Sequence, residues 1–531
     1  MQRITTLAVG IGWLLCIGVC SPPCISQQPV PSPQSASPVT VRLEAKDGQS
    51  HFFLGDRIEL ELVFTNPGSD PYTLNTTLSG DLSEKITISP ATGWIQWRGP
   101  SGRDYSVASR LESKEIRFRV VLNDGFVFRE PGHYEVSITI SRLSQGAPLA
   151  PDTMDLSLTT NTVGLDLAAR DPAEESSLVR TLSNQIASLP SSKNPYDDPR
   201  SEAANRLASL PGDDAVREKV RWLLDDSHDN QSISHAMSGG LPASRNLQLQ
   251  LSLLQAAWND PQRTPDSTLE EALALTRHFL SNPTMLPGWR MVVMPSSGKP
   301  DAAAQQAIDQ HNSDIDYIIQ SLPARAGDNR RNTAYFLIFS NLTPAQLAQV
   351  KPIAVEEFAH MDPLAQGMLL QTRWKQISDP ALVPGIRAML DKPPAEFVGY
   401  GDALERLIEL DPVSAKPYVV REICDARSRI AIEYIQSLPV ETLPETDACL
   451  LQQITALSGG NGPAGKIPWP EKLLIAARFS SAAIYLQMLA LYHSHPEWNT
   501  PKYSAVQSDF VAYLNRWHPE TTLQPLPLQH Y

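Results

Sequence analysis

Apolar residues follow two different periods along this chain, and the change falls near residue 168. Before it they alternate with polar ones. Val39, Val41 and Leu43 interleave with Thr40, Arg42 and Glu44; Ile58, Leu60, Leu62 and Phe64 with Arg57, Glu59 and Glu61. The same alternation carries Ile116, Phe118, Val120 and Leu122, and then Tyr134, Val136, Ile138 and Ile140. A period of two buries one face of a strand and wets the other. Asn66-Pro67-Gly68, Asn123-Asp124-Gly125 and Pro131-Gly132 supply turns between the runs. Shorter strands are expected at 85–89, 94–97, 154–159 and 162–167. Roughly seven or more short strands in 39–168, with no helical stretch, predict a two-sheet β-sandwich.

From Ala173 the period becomes three to four. Ala204, Leu207 and Leu210 lead through Pro211-Gly212-Asp213-Asp214 to Val216, Val220 and Leu223. Leu364 and Met368 lead through Ser378-Asp379-Pro380 to Leu382, Ile386 and Leu390, whose i, i+4 steps predict a buried stripe with Arg387 in solvent. Leu404 and Leu407 lead through Asp411-Pro412 to Val419 and Ile423. The two Asp-Pro turns lie 32 residues apart. Paired helices at that interval predict an α-solenoid over 172–517, with an irregular helical bundle as the alternative. Gly/Pro breaks interrupt it at 281–300 and 459–470, and a long helix is expected over 471–493.

Phe53-Leu54-Gly55-Asp56-Arg57-Ile58-Glu59-Leu60, Glu130-Pro131-Gly132-His133-Tyr134-Glu135-Val136 and Thr160-Asn161-Thr162-Val163 resemble strands of immunoglobulin-like domains in exported bacterial proteins. Asp379-Pro380-Ala381-Leu382-Val383-Pro384 resembles a HEAT repeat. The resemblance implies an immunoglobulin-like β-sandwich over 39–168, followed by an all-α HEAT-like array. Its motifs are structural and imply no ligand.

Arg3 followed by the uncharged apolar stretch Ile4 to Val19 reads as a signal peptide covering 1–26. The stretch is shorter than the roughly 20 residues a bilayer span needs. A lipid-anchored form through Cys20 is the competing reading, with a Val before the Cys as its poor feature. Four prolines and three serines in 27–38 make a flexible tether, and 518–531 is a Pro-rich tail. These features predict an exported protein, periplasmic or extracellular, with no integral span after leader cleavage.

The net charge of −14 is spread over both regions, 12 Lys/Arg against 17 Asp/Glu in 37–168 and 31 against 41 in 169–531. Neither has a basic stripe, which argues against nucleic acid. Beyond the leader only Cys424 and Cys449 remain, a candidate disulfide in an oxidising compartment or two free thiols. Trp94, Trp97, Arg98, Arg103 and Tyr105 form a candidate loop for stacking on sugars, against the plainer expectation that one tryptophan is core and the other edge.

Catalytic patterns fail on context. Ser296-Ser297-Gly298-Lys299 is followed by Pro300 in a Gly/Pro loop and lacks partner motifs. His493-Ser494-His495 has no third ligand at zinc spacing, and Glu356–His360 lacks the paired histidines of a zinc-protease helix. Glu270-Glu271 and Asp213-Asp214 are expected to be helix caps. No catalytic, metal or cofactor residue is assigned. The expected function is a non-enzymatic interaction or scaffold protein with a protein or peptide partner. An envelope enzyme with an interdomain site and glycan binding by the sandwich are the alternatives. N-terminal sequencing of the mature protein should begin between Ser21 and Gln28; a mature chain that starts at Met1 overturns the export expectation.

Overall fold

The computed structural model describes residues 39–68, 72–77, 85–96, 106–111, 115–145, 156–192, 198–225, 230–281, 302–391, 399–424, 442–458, 478–494, 511, 512 and 514–518. An N-terminal β region of small sheets precedes a mostly helical region.

The β region contains β1 (Thr40–Ala45), β2 (His51–Phe53), β3 (Glu59–Thr65), β4 (Tyr72–Thr77), β5 (Lys85–Ser89) and β6 (Trp94–Gln96). It continues with β7 (Ser106–Leu111), β8 (Glu115–Val121), β9 (Phe126–Phe128), β10 (Gly132–Gln145), β11 (Leu156–Thr159) and β12 (Val163–Ala168). One antiparallel sheet has the order β1-β3-β8. Its register pairs Leu43 with Leu62 and Leu62 with Phe118, so the apolar side of each strand shares one core. The opposite side is an ion lattice: Arg117 reaches Glu44 at 2.9 Å and Glu61 at 2.7 Å, and Arg42 reaches Glu115 at 3.1 Å. The second sheet has the order β2-β12-β10-β4-β7, with β5 and β11 also on β10. Tyr134, Val136, Ile138 and Ile140 of β10 are buried against the first sheet's apolar side. The two-stranded sheet β6-β9 pairs Trp94 with Phe128.

β9 departs from alternation because both its sides are covered. Phe126 and Phe128 enter the core of the β region, while Val127 joins Ile95 on the other side, against Leu247, Leu275 and Phe279 of the helices. Polar contacts accompany this join. The Ser209 hydroxyl donates to the Gly55 carbonyl at 2.7 Å, Arg129 Nη2 donates to the Pro242 carbonyl at 3.4 Å, and Arg170 pairs with Asp56. Gly55 makes the approach possible. Its φ is +88°, and a Cβ there would lie 2.9 Å from the Ser209 carbonyl oxygen and 3.0 Å from Leu210 Cα.

The helices are α1 (Pro172–Ser188), α2 (Ser201–Ser209), α3 (Asp213–Leu223), α4 (Gln231–Gly239), α5 (Leu247–Trp258), α6 (Ser267–Ser281), α7 (Ala302–Ser321) and α8 (Gly327–Phe339). They continue with α9 (Pro344–Glu357), α10 (Pro363–Thr372), α11 (Trp374–Ile377), α12 (Val383–Leu390), α13 (Tyr400–Leu410), α14 (Pro412–Cys424), α15 (Asp447–Ser458) and α16 (Tyr485–Ser494). One apolar cluster gathers buried residues from Val179 to Leu514. Leu382, Ile386 and Leu390 are buried in it and Arg387 is exposed, in the phase that the i, i+4 spacing predicts.

Two expectations are corrected. Leu364 does not face the core: it is 60% exposed, and Gly367, Leu369 and Leu370 are buried instead. Its neighbour Pro363 starts α10, so Leu364 falls in the first turn and points away from the stack. The helix expected over 471–493 is broken, among its described residues, at Ser480-Ser481. The Ser481 hydroxyl accepts from Ala483 N at 3.1 Å and starts a new 3-10 turn, Ala482–Ile484, before α16. Serine competes for backbone groups in this way and favours caps over helix interiors.

Gly55→Val tests the join between regions. The substitution adds a strained positive φ, costing about 1–3 kcal/mol, and drives a side chain into the 209–210 backbone. The melting temperature should fall and exchange protection in β9 and at the start of α5 should drop together. Unchanged protection in both would mean that the approach at Gly55 does not fix the docking.

Candidate functional site

The helices α9, α12 and α14 begin in a common way. Thr343 caps α9 with a reciprocal Gln346 contact, the Asp379 carboxylate accepts from Ala381 N at 3.0 Å, and that of Asp411 from Ser414 N at 3.1 Å. Proline follows each of these caps, where its missing N–H has no intrahelical partner to lose.

Neighbouring pairs are joined by side chains that reach back to the end of an earlier helix. Arg373 donates to the Phe339 carbonyl at 3.2 Å, Arg406 to that of Leu370 at 3.2 Å, and Arg421 to that of Leu390 at 2.7 Å. Arg516 donates to the Ser480 carbonyl at 3.3 Å. The partners lie 34, 36, 31 and 36 residues apart. A helix leaves its last four carbonyls without intrahelical donors, and guanidinium groups supply them here. Each guanidinium also stacks over an aromatic ring: Arg373 over Phe339 at 4.9 Å, Arg406 over Trp374 at 5.3 Å, Arg421 over Tyr418 at 5.3 Å, and Arg516 over Trp517 at 4.9 Å.

This fixed layer turns a weakly charged row outward. Ala348 of α9, Pro384 of α12, Ala448 of α15 and Leu486 of α16 are exposed within the first five residues of their helices. Val413, beside the α14 cap, is 83% exposed and Leu486 is 73% exposed. The charges of Lys416 and Glu445 on this row meet each other at 2.7 Å. The row offers contact area and little charge.

Two polar clusters are buried instead. Glu270 of α6 meets His311 of α7, Oε1 to Nδ1, at 3.2 Å, with side-chain exposures of 11% and 9%. Beside them Arg277 pairs with Asp314 and donates to Gln255 Oε1 at 2.6 Å. Burial pushes the Glu270 carboxyl up to about 7, with Asp314, Asp266 and Glu271 adding repulsion, and burial pushes the His311 imidazolium down. Both shifts favour the uncharged forms of the two side chains. Closed from solvent, the pair joins α6 to α7. Lys219 is fully buried in α3, and its ammonium donates to the carbonyls of Leu210 (3.1 Å) and Gly240 (3.0 Å) and to Ser244 Oγ (3.0 Å). Burial lowers it to about 7. Three acceptors for three N–H bonds make it a brace between α2, α4 and the start of α5.

Cys424 and Cys449 form a disulfide, with Cα atoms 5.3 Å apart, tying the end of α14 to the first turn of α15. Trp94 is half-buried, packs edge-on against Phe126 with ring centroids 5.4 Å apart, and donates to the Pro90 carbonyl at 2.8 Å. Trp97, Arg98, Arg103 and Tyr105 lie outside the described residues, as do Ser296, Lys299 and His495. His493 is exposed near the end of α16. Among the described residues, no group of three or more His, Cys, Asp and Glu side chains could hold a metal ion, and no helix is long and apolar enough to cross a membrane. Asp213 and Asp214 sit in the first turn of α3, where their charge suits the helix dipole, but the N-cap is Gly212 and neither carboxylate caps a backbone N–H. Glu270, in contrast, faces inward to His311, which the doublet Glu270-Glu271 did not reveal. The arginine contacts were also missed, although an aromatic beside or one unit before each arginine was a usable signal.

The chain matches no family model and no curated protein.

The Glu270 shift gives a pH test. A carboxyl whose folded pKa is raised from 4.5 to about 7 contributes stability at low pH and loses it as pH rises through 7. Glu270→Gln keeps the shape of the side chain without its charge. Its melting temperature relative to the wild type should rise between pH 4.5 and 7 and then level off. A difference that is flat across this window would show that Glu270 ionises normally.

Proposed function

We propose that this chain is an exported, non-enzymatic interaction protein of the bacterial envelope: an immunoglobulin-like sandwich carrying a HEAT-like array that binds a protein or peptide partner. The sandwich reading is supported by the strand orders β1-β3-β8 and β12-β10-β4-β7, which separate the first, second and fifth long strands from the rest. It is supported also by Tyr134, whose hydroxyl donates to the Glu130 carbonyl at 2.8 Å, as the corner tyrosine of such domains does. Gly93 makes room for that hydroxyl, since a Cβ there would collide with it. The array reading rests on helix caps and arginine contacts that recur at intervals of 31–36 residues. Export is supported by the apolar leader and by the disulfide, which persists in oxidising compartments.

One observation carries the binding reading. Val413 and Leu486 stand out to solvent on a layer whose neighbouring apolar side chains, Ala415, Val419 and Met488, are wholly buried. Exposed branched side chains contribute nothing to the fold's own core, and a partner that covers them gains about 1.5–3 kcal/mol for each. The double variant Val413→Asp, Leu486→Asp should keep its circular dichroism and melting temperature. It should lose at least tenfold in capture of the partner that the wild type retains from an envelope fraction. Capture at wild-type strength by the folded variant would remove this row from the function.

A further inference from the structure

We propose that the Cys424–Cys449 disulfide is a removable clamp at one junction of the helical array, so that a dithiol reductant loosens the row bearing Val413 and Leu486. This rests on the binding reading above, and the clamp itself can be measured without a partner.

The junctions differ in what holds them. Arg373, Arg406, Arg421 and Arg516 each give a charged donor to a carbonyl of an earlier unit and lay a guanidinium over a ring. Between α14 and α15 the corresponding side chain is the neutral Gln453. Its amide donates to the Cys424 carbonyl at 2.7 Å and that of Ile423 at 3.4 Å. An uncharged donor is roughly half as strong as a charged one, and the disulfide lies on the same helix end, joining Cys424 to Cys449. A covalent bond thus stands at the junction where the arginine clamp is replaced. Gln453 and Arg421 are both backbone-capping side chains, but only the Gln453 junction has a bond that chemistry can open.

Both cysteines are partly exposed, so a small thiolate can reach them. A thiolate of the dithiol attacks one sulfur, the S–S bond breaks, and the other cysteine leaves as thiolate and takes a proton. The reagent's second thiolate then displaces the first cysteine, leaving two protein thiols and a cyclic disulfide, with two electrons passed to the protein. The Thr446 carbonyl lies 3.2 Å from Cys449 Sγ and gives the released thiol an acceptor. The bridge closes a sequence separation of 25 residues, and on the chain-entropy account its loss favours opening by about two orders of magnitude. Because stacked units contact mainly their neighbours, that opening stays local. α14 carries Val413, and α15 stands between it and the helix carrying Leu486.

The test is amide hydrogen exchange on the full chain, oxidised, reduced with dithiothreitol, and as the double variant Cys424→Ser, Cys449→Ser. Exchange in 412–424 and 447–458 should rise at least tenfold on reduction and in the variant, with 172–281 and the β strands unchanged. Reduction of the folded wild type decides the matter if the variant does not fold. Unchanged exchange in those two helices, or a rise of equal size throughout the chain, overturns the proposal. So does a disulfide that dithiothreitol reduces only after unfolding. If exchange rises locally while partner capture is untouched by reduction, the link to the row is overturned. The Val413 and Leu486 variants then still decide the binding reading.

Discussion

Every packed helix has the same unsolved problem at its end, a set of carbonyls that the helix cannot satisfy and that neighbouring helices shield from water. The helical region depends on how those carbonyls are met. Water cannot serve where the stack is dry, and a buried acceptor without a donor costs about 1–3 kcal/mol. In this chain the donor comes from a later unit: Arg373 to Phe339, Arg406 to Leu370, Arg421 to Leu390. The guanidinium is suited to the task because it stays charged, is weakly hydrated for an ion, and lies flat on the aromatic rings beside it. One side chain therefore closes a helix end, packs a ring and sets the spacing between units. The apolar cluster supplies the driving force, but apolar contact is non-directional. The carbonyl contacts supply register.

The β region meets the first units by a different device. Val127 and Ile95 insert among Leu247, Leu275 and Phe279, while the backbone at Gly55 comes within hydrogen-bonding reach of Ser209. The glycine is indispensable on two counts, its left-handed φ and the absence of room for a Cβ. Lys219 reinforces the receiving side, since its ammonium joins the carbonyls of Leu210 and Gly240 that lie just behind the contact. The helices nearest the β region are thus held by polar groups with fixed directions. The exposed row lies far along the sequence from this join, on helices secured by the arginine contacts and one disulfide.

Much of this was legible in the chain. Alternation placed β1, β3, β8 and β10 because each has one covered face and one wet face, and period two records that difference directly. The phase of Leu382, Ile386 and Leu390 was legible for the same reason. Where the expectation failed, position within the element had overridden composition. Leu364 fits a helical repeat, yet it falls in a first turn beyond the stack, and Ser480-Ser481 sits in an apolar run but supplies a cap. β9 escaped because a strand covered on both faces loses its period. The buried polar pairs were least legible. Glu270 with His311, and Lys219 with the carbonyls of Leu210 and Gly240, are contacts between helices, and no local window holds both partners.

The same distinction bears on function. A site made of one local motif would be legible in sequence, as a phosphate loop or a zinc pair is. A face assembled by one residue from each of several units is not, because each residue alone is an unremarkable Ala, Pro, Val or Leu. Val413 follows an Asp-Pro cap like the one before Ala381, and only the burial of its neighbours marks it as different. In a stacked array the units must resemble one another where they touch, while the outward positions are released from that constraint. A large apolar side chain at a released position is then informative in a way that the same residue in the core is not. That asymmetry is why the outward row carries the proposed function, whereas the buried Glu270–His311 pair is accounted for by the packing of α6 on α7.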